Sequence, residues 1–200
     1  MSVADWLIFA SFWALFVTSP GPNAVNCILT AWSVGFRPAL WCVVGILCQA
    51  ALFLVLSASG VSALLLASPV AFDAIRFVGA AVLIGLGLRA WRRAGHPLNT
   101  DAPPARGIWL RAFLIATVNA KSVAGYLAAF TQFVRTDVSI WSQMSVIAPT
   151  ALTLTALSYT GWCALGAWLG RRALGLVGSM RLRRGLAVCF IAYGVALAFL

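Results

Sequence analysis

Glutamate is absent from this 200-residue chain, and aspartate occurs only as Asp5, Asp73, Asp101 and Asp137. Lysine occurs once, as Lys121, and histidine once, as His96. With 9% charged and 62% apolar residues, there is too little polar surface to cover a water-soluble domain. The same shortage leaves Ser57-Ala58-Ser59-Gly60, a superficial nucleophile pattern, without a membrane-depth histidine or carboxylate to activate it. No catalytic residue is expected. The five cysteines (Cys27, Cys42, Cys48, Cys163, Cys189) contain no Cys-x-x-Cys pair, which argues against a thiol redox carrier and a zinc site. They read as small buried apolar residues, and neither metal nor cofactor is expected. The N-terminal stretch has no basic n-region and no small-residue cleavage site, so its apolar run reads as a retained helix.

Long apolar runs make up most of what remains. The net charge of +10 resembles a nucleic-acid signal until the arginines are located. Nearly all lie in two short segments between apolar runs, where positive charge sets orientation in a membrane. The expected partner is therefore a lipid bilayer, with no nucleic acid. The fold class is all-α integral membrane, with about six transmembrane helices forming one transmembrane domain over 1–200. The first helix runs from about Trp6 to Val34 and the second from Pro38 to Ser59, with an extension toward Ala67. The third follows Ser68-Pro69, an N-cap with proline at the first helical position, and covers about Val70 to Leu88. Arg89 to Arg106 form a polar loop. The fourth helix covers Ile108 to Val134, and the fifth Ile140 to Gly170, with Pro149 expected to kink it. A basic hinge, Arg171 to Arg184, leads to the sixth, Gly185 to Leu200, about 24 Å long at 1.5 Å per residue. Five spans with an interfacial tail is the alternative. Six spans put eleven arginines on the side of the central loop and only Arg76 and Arg135 on the other. That bias puts both termini away from the cytoplasm.

Two stretches break the apolar pattern at membrane depth. Ser19-Pro20-Gly21-Pro22-Asn23 lies some 13 to 17 residues after Trp6. Two residues without an N–H and a permissive glycine make a continuous helix unfavourable there. Broken backbone is tolerated in hydrocarbon only where protein buries it or a wet cavity meets it, so this stretch marks a site, with a plain proline kink as the alternative. In the second half, Trp109 opens an apolar run, and Asn119-Ala120-Lys121 follows at a similar depth. A first repeat of about 1–90, a cytoplasmic loop of about 91–107 and a second repeat of about 108–200 would then stand in opposite orientations, with helices one and four interrupted. Interrupted helices at matching positions of inverted repeats point to a transporter site at the midplane. Free N–H groups after Pro22 attract an anion, and carbonyls near Val17 and Thr18 attract a cation, a combination suited to a zwitterion. Substrate-binding candidates are Ser19, Pro20, Gly21, Pro22, Asn23, Asn119 and Lys121. Lysine at the bilayer centre costs about 2.5–3.5 kcal/mol on insertion scales, so Lys121 faces either a carboxylate in a cavity or helix-end carbonyls that it holds together. Asn26 and Gln49 read as helix–helix glue.

The Ser19-to-Asn23 stretch resembles the Pro-Gly-Pro signature of the LysE/RhtB family of lysine and homoserine-threonine exporters. Asn119-Ala120-Lys121 resembles that family's Asn-Pro-Lys motif, and Gly79 to Arg89 its glycine-rich third helix. The resemblance covers most of the chain and implies a bacterial inner-membrane exporter of amino acids or related metabolites, driven by the proton gradient. Ala120 replaces the family's proline, implying a softer second interruption, and Ser19 stands where threonine is usual. No histidine or carboxylate lies at mid-depth to carry a proton, which leaves Lys121 itself as the group that could titrate. Asp73 and Arg76, three apart near the start of helix three, form a candidate gate or an interfacial ion pair. Gly166-x-x-x-Gly170 could join two copies in a homodimer or pack within one chain. The competing reading is a non-transporting membrane subunit or anchor.

Overall fold

Ser2 and Asp5 start the first helix by reciprocal capping. Ser2 Oγ accepts from the Asp5 amide, and Asp5 Oδ2 accepts from the Ser2 amide, each at 3.1 Å. In the computed structural model the described residues are 2–67, 81, 84–85, 87–89, 91–95, 106–135, 137–169 and 179–198. Among them every regular element is an α-helix. These are α1 (Val3–Thr18), α2 (Pro22–Val34), α3 (Phe36–Ala67), α4 (Ile108–Val118), α5 (Ala120–Phe133), α6 (Ile140–Leu169) and α7 (Met180–Ala198), with helical positions at 84–85, 87–89 and 91–92 between α3 and α4. The expected third helix lies largely outside the described residues, as do Asp73 and Arg76.

Two of these helices are long and apolar enough to cross a membrane: α3 over Phe36–Gly60 and α6 over Ile140–Leu169. The pair α1 and α2 makes a third if counted as one span, bent by 54° at the Pro-Gly-Pro break. The interruptions expected in helices one and four are therefore both present, the second at Asn119 between α4 and α5. The link from α2 to α3 is the single residue Gly35, whose φ of 87° is a conformation that favours glycine. α6 runs through Pro149, the residue expected to kink it, without an interruption. α7 begins at Met180 rather than at Gly185, taking Arg181, Arg183 and Arg184 into its first turns. Arginine is a good helix former, so the expected hinge is partly helix, and its 19 residues span about 28 Å. The Arg184 guanidinium stands 5.0 Å over the Trp91 ring.

The core gathers around α6, which touches α1, α2 and α3, while α3 also lies against α4 and α5. From α1, Phe9, Phe12, Trp13 and Phe16 are buried. Trp13 meets Tyr126 of α5 with ring centroids 5.1 Å apart, and its indole N–H donates to the Ala151 carbonyl of α6 at 3.0 Å. In lipid, close backbone approach rather than water exclusion draws helices together, so small residues mark the interfaces. Gly166 of α6 illustrates this: a Cβ there would stand 2.7 Å from the Ile28 Cα of α2. The small face read as a possible dimer contact is thus used within the chain at Gly166. The α5–α6 connection is tied by Gln143, which accepts from the Arg135 amide at 2.9 Å and donates to the Arg135 carbonyl at 2.9 Å.

Gly166→Leu should lower the melting temperature of the detergent-solubilised protein clearly, since overpacking costs about 1–3 kcal/mol or more. Gly161→Ala, with nothing within 4 Å of its Cβ position, should leave it unchanged or slightly raised. Equal melting of the Gly166 variant and the parent would contradict this packing.

Candidate functional site

α1 stops at Thr18 because the following residues cannot continue its hydrogen-bond ladder. Ser19 is extended (φ −65°, ψ 133°), Gly21 is extended as well (φ −167°, ψ −173°), and Pro22 opens α2 at its first position. A helix end buried in protein needs partners for its last carbonyls. Three partners come from three places. Ser19 Oγ donates to the Phe16 carbonyl at 2.8 Å, Ser158 Oγ of α6 donates to the Val17 carbonyl at 3.1 Å, and Lys121 Nζ of α5 donates to the Ser19 carbonyl at 2.8 Å.

Lys121 belongs to the first turn of α5, where a positive charge opposes that helix's own dipole. Its side chain crosses to the C-terminal end of α1, where the dipole has the favourable sign. Nζ stands 5.0 Å from the Phe16 ring centroid and passes Gly21, 3.8 Å from where a Cβ would stand. The Phe16 ring itself occupies the position of a Cβ on Gly125, so only glycine fits there. Among the described residues Lys121 meets no carboxylate; the ion pair there is Arg135–Asp137 at 2.7 Å, in the exposed α5–α6 connection. Hydrogen bonding from Arg135 holds the Asp137 carboxyl below the usual carboxylate range.

The second interruption, expected to be softer because Ala120 stands in place of the family's proline, is present all the same. Asn119 is extended (φ −71°, ψ 108°), ends α4, and caps α5 by accepting from the Lys121 amide at 3.1 Å. The residue that breaks the helix therefore also starts the next one and sets the root of the lysine.

On the far side of the first break, the first hydrogen bond of α2 runs from the Val25 amide to the Gly21 carbonyl at 3.0 Å, leaving the Asn23 and Ala24 amides ahead of it. The Asn23 side chain is 3% exposed, faces Tyr159 of α6, and keeps Oδ1 without a hydrogen-bond partner. The break thus brings Ser19, Gly21 and Lys121 together, with Asn119 two residues before the lysine as the cap of its helix, Pro20 and Pro22 forming the corner, and Asn23 entering α2. Gln49 is buried with its Nε2 unpartnered. Asn26 bridges helices: its amide nitrogen donates to Cys42 Sγ of α3 at 3.5 Å, and its Oδ1 accepts from Arg111 of α4 at 3.3 Å. Sequence reasoning missed Ser158, Phe16 and Tyr159, because no local signal pairs a serine with a carbonyl 141 residues away. Among the described residues no group of three His, Cys, Asp or Glu is arranged to hold a metal ion.

Interrupted helices that meet at one point are the arrangement in which many membrane transporters build their sites. The family described as LysE type translocator matches residues 14–200, and the chain belongs to that family. It is 34% identical to an uncharacterized membrane protein of Vibrio cholerae, over 86% of this chain and 85% of the relative. It is 27% identical to a homoserine/homoserine lactone efflux protein of Salmonella typhi, over 99% and 98%, respectively. A leucine efflux protein of Enterobacter is 26% identical over 92% of this chain and 90% of its own length. No solved structure matches the chain.

Asn119→Ala should destabilise the protein by about 0.5–2 kcal/mol through loss of the α5 cap, whereas Asn119→Asp keeps the acceptor and most of the stability. Melting curves of the two variants in detergent check this; an alanine variant as stable as the parent would remove the cap from the account.

Proposed function

We propose that the protein exports amino acids or closely related zwitterions across the bacterial inner membrane, with Lys121 and the Pro-Gly-Pro break forming the substrate site. The observation that carries this reading is the Lys121 ammonium, held by a neutral carbonyl at 2.8 Å beside the open N-terminus of α2. An ammonium forms a stronger hydrogen bond with a carboxylate than with a neutral carbonyl, so an incoming carboxylate is the natural competitor for Nζ. The Asn23 and Ala24 amides favour the same charge. Asn23 Oδ1, buried and without a partner, suits the substrate's ammonium. Relatives named for homoserine and leucine efflux support the substrate class.

The helix interruptions at residues 19–21 and 119 support two three-helix repeats, about 1–90 and 108–200, in one domain. The arginine distribution supports a cytoplasmic central loop and termini on the opposite side. Coupling to the proton gradient is part of the proposal, with Lys121 as the group that exchanges the proton. Asp73 and Arg76 complete it as a gate at the start of helix three.

The test uses purified protein in liposomes, a labelled amino-acid panel and an imposed pH gradient. The parent should move one or a few amino acids, faster with the gradient; Lys121→Met leaves the Ser19 carbonyl unmet and should lower the melting temperature while the protein still folds, and should lower the rate by roughly tenfold or more. Asn23→Ala should weaken transport with Lys121 intact. If the folded parent moves no amino acid under any gradient, the exporter reading falls and the anchor reading replaces it. If Asp73→Asn leaves the pH dependence of transport unchanged, Asp73 is no gate.

A further inference from the structure

Gln49 lies near the middle of the span Phe36–Gly60 of α3, is 2% exposed, and has no hydrogen-bond partner for its Nε2. A residue that joins helices needs a partner on another helix. Asn26 has two, Cys42 of α3 and Arg111 of α4. An N–H left unmet in a membrane interior is costly, so its place in the fold matters.

Two sets of contacts fix that place. α2 and α3 are joined through Gly35 and fold back on each other, with the Asn26 side-chain amide on Cys42 Sγ. Gln49 lies seven residues beyond Cys42, and seven residues before Asn26 stands Ser19, so this register carries Gln49 to the Pro-Gly-Pro corner. On its other side α3 runs alongside α4 and α5. A Cβ on Gly45 would stand 3.2 Å from the Ala112 Cβ, and the Phe53 and Tyr126 ring centroids are 5.4 Å apart. Gln49 is midway between Gly45 and Phe53, and midway between Ala112 and Tyr126 is Asn119, the second interruption. Both registers therefore bring Gln49 to the level where Lys121 joins the two breaks. Cys42, Ile46, Gln49 and Phe53 are spaced four, three and four apart, which puts Gln49 on the face of α3 that meets α2 and α5.

The groups common to all amino acids already have their counterparts at this level: Lys121 and the open end of α2 for the carboxylate, Asn23 Oδ1 for the ammonium. A third, unmet donor calls for an acceptor elsewhere on the cargo. We propose that Gln49 reads the substrate's side chain, and that the protein selects amino acids whose side chain presents a hydroxyl or carbonyl oxygen over aliphatic ones of the same size. Such an oxygen accepts from Nε2, whereas a methyl group in its place seals the amide from water unpaired. This inference rests on the exporter reading and names the side-chain chemistry of its cargo.

The experiment compares labelled L-homoserine with L-norvaline, which carries a methyl group in place of the hydroxyl, in liposomes holding the purified protein. The parent should show a kcat/KM for homoserine about tenfold or more above that for norvaline. Gln49→Met keeps the length of the side chain and removes the amide. It should bring the ratio of the two close to unity, with a melting temperature equal to or above the parent's, because no pairing is lost. A ratio unchanged in the variant overturns the Gln49 proposal, and a lowered melting temperature beside it returns the residue to a helix-joining role. A parent that moves only amino acids without a side-chain oxygen, or that does not favour homoserine, also overturns it; in each of these cases transport itself persists and the exporter reading stands. A folded parent that moves no amino acid overturns both.

Discussion

Hydrocarbon offers no hydrogen bonds, so a helix that stops inside a membrane must have its open carbonyls met by the protein itself. The end of α1 shows how this one requirement shapes the chain. Ser19 serves the Phe16 carbonyl locally, but Val17 needs Ser158 from α6 and Ser19 needs Lys121 from α5. Those two contacts fix where α5 and α6 stand relative to the break. The aromatic face of α1 and the Gly125 and Gly166 approaches follow as the packing that lets them be made. A lysine that would be costly anywhere else at this depth is held by the C-terminal dipole of one helix and a neighbouring aromatic face.

The same contact underlies the proposed function. Satisfying a carbonyl and waiting for a carboxylate require the same ammonium at the same point. In the proposed function the two uses exclude each other in time. At the other end of α2, Arg111 of α4 donates to Asn26 Oδ1 and Thr30 Oγ1 and so ties the two helices together.

Much of this was legible in the residues. The membrane class follows from composition, and both helix interruptions follow from chemistry local to the chain: missing N–H groups at Pro20 and Pro22, and a capping side chain at Asn119. The second interruption also shows a limit of motif reading, since Ala120 took away the expected proline and the asparagine sufficed. α7 starts at Met180, ahead of Gly185, because the arginines expected to form a hinge are good helix formers.

By itself the sequence determined the apolar class, the clustering of its arginines between apolar runs, the places of the two breaks along the chain and the single lysine, because each depends on neighbours within a few residues. The tertiary structure alone decided what each polar group meets. Lys121 and Ser19 are 102 positions apart, Ser158 and Val17 are 141 apart, and Arg111 and Asn26 are 85 apart. Such pairs exist only after helices pack, and packing in lipid is set by close-fitting small residues and rings distributed over the whole chain. A polar residue at membrane depth announces that a partner is required; the fold selects which one.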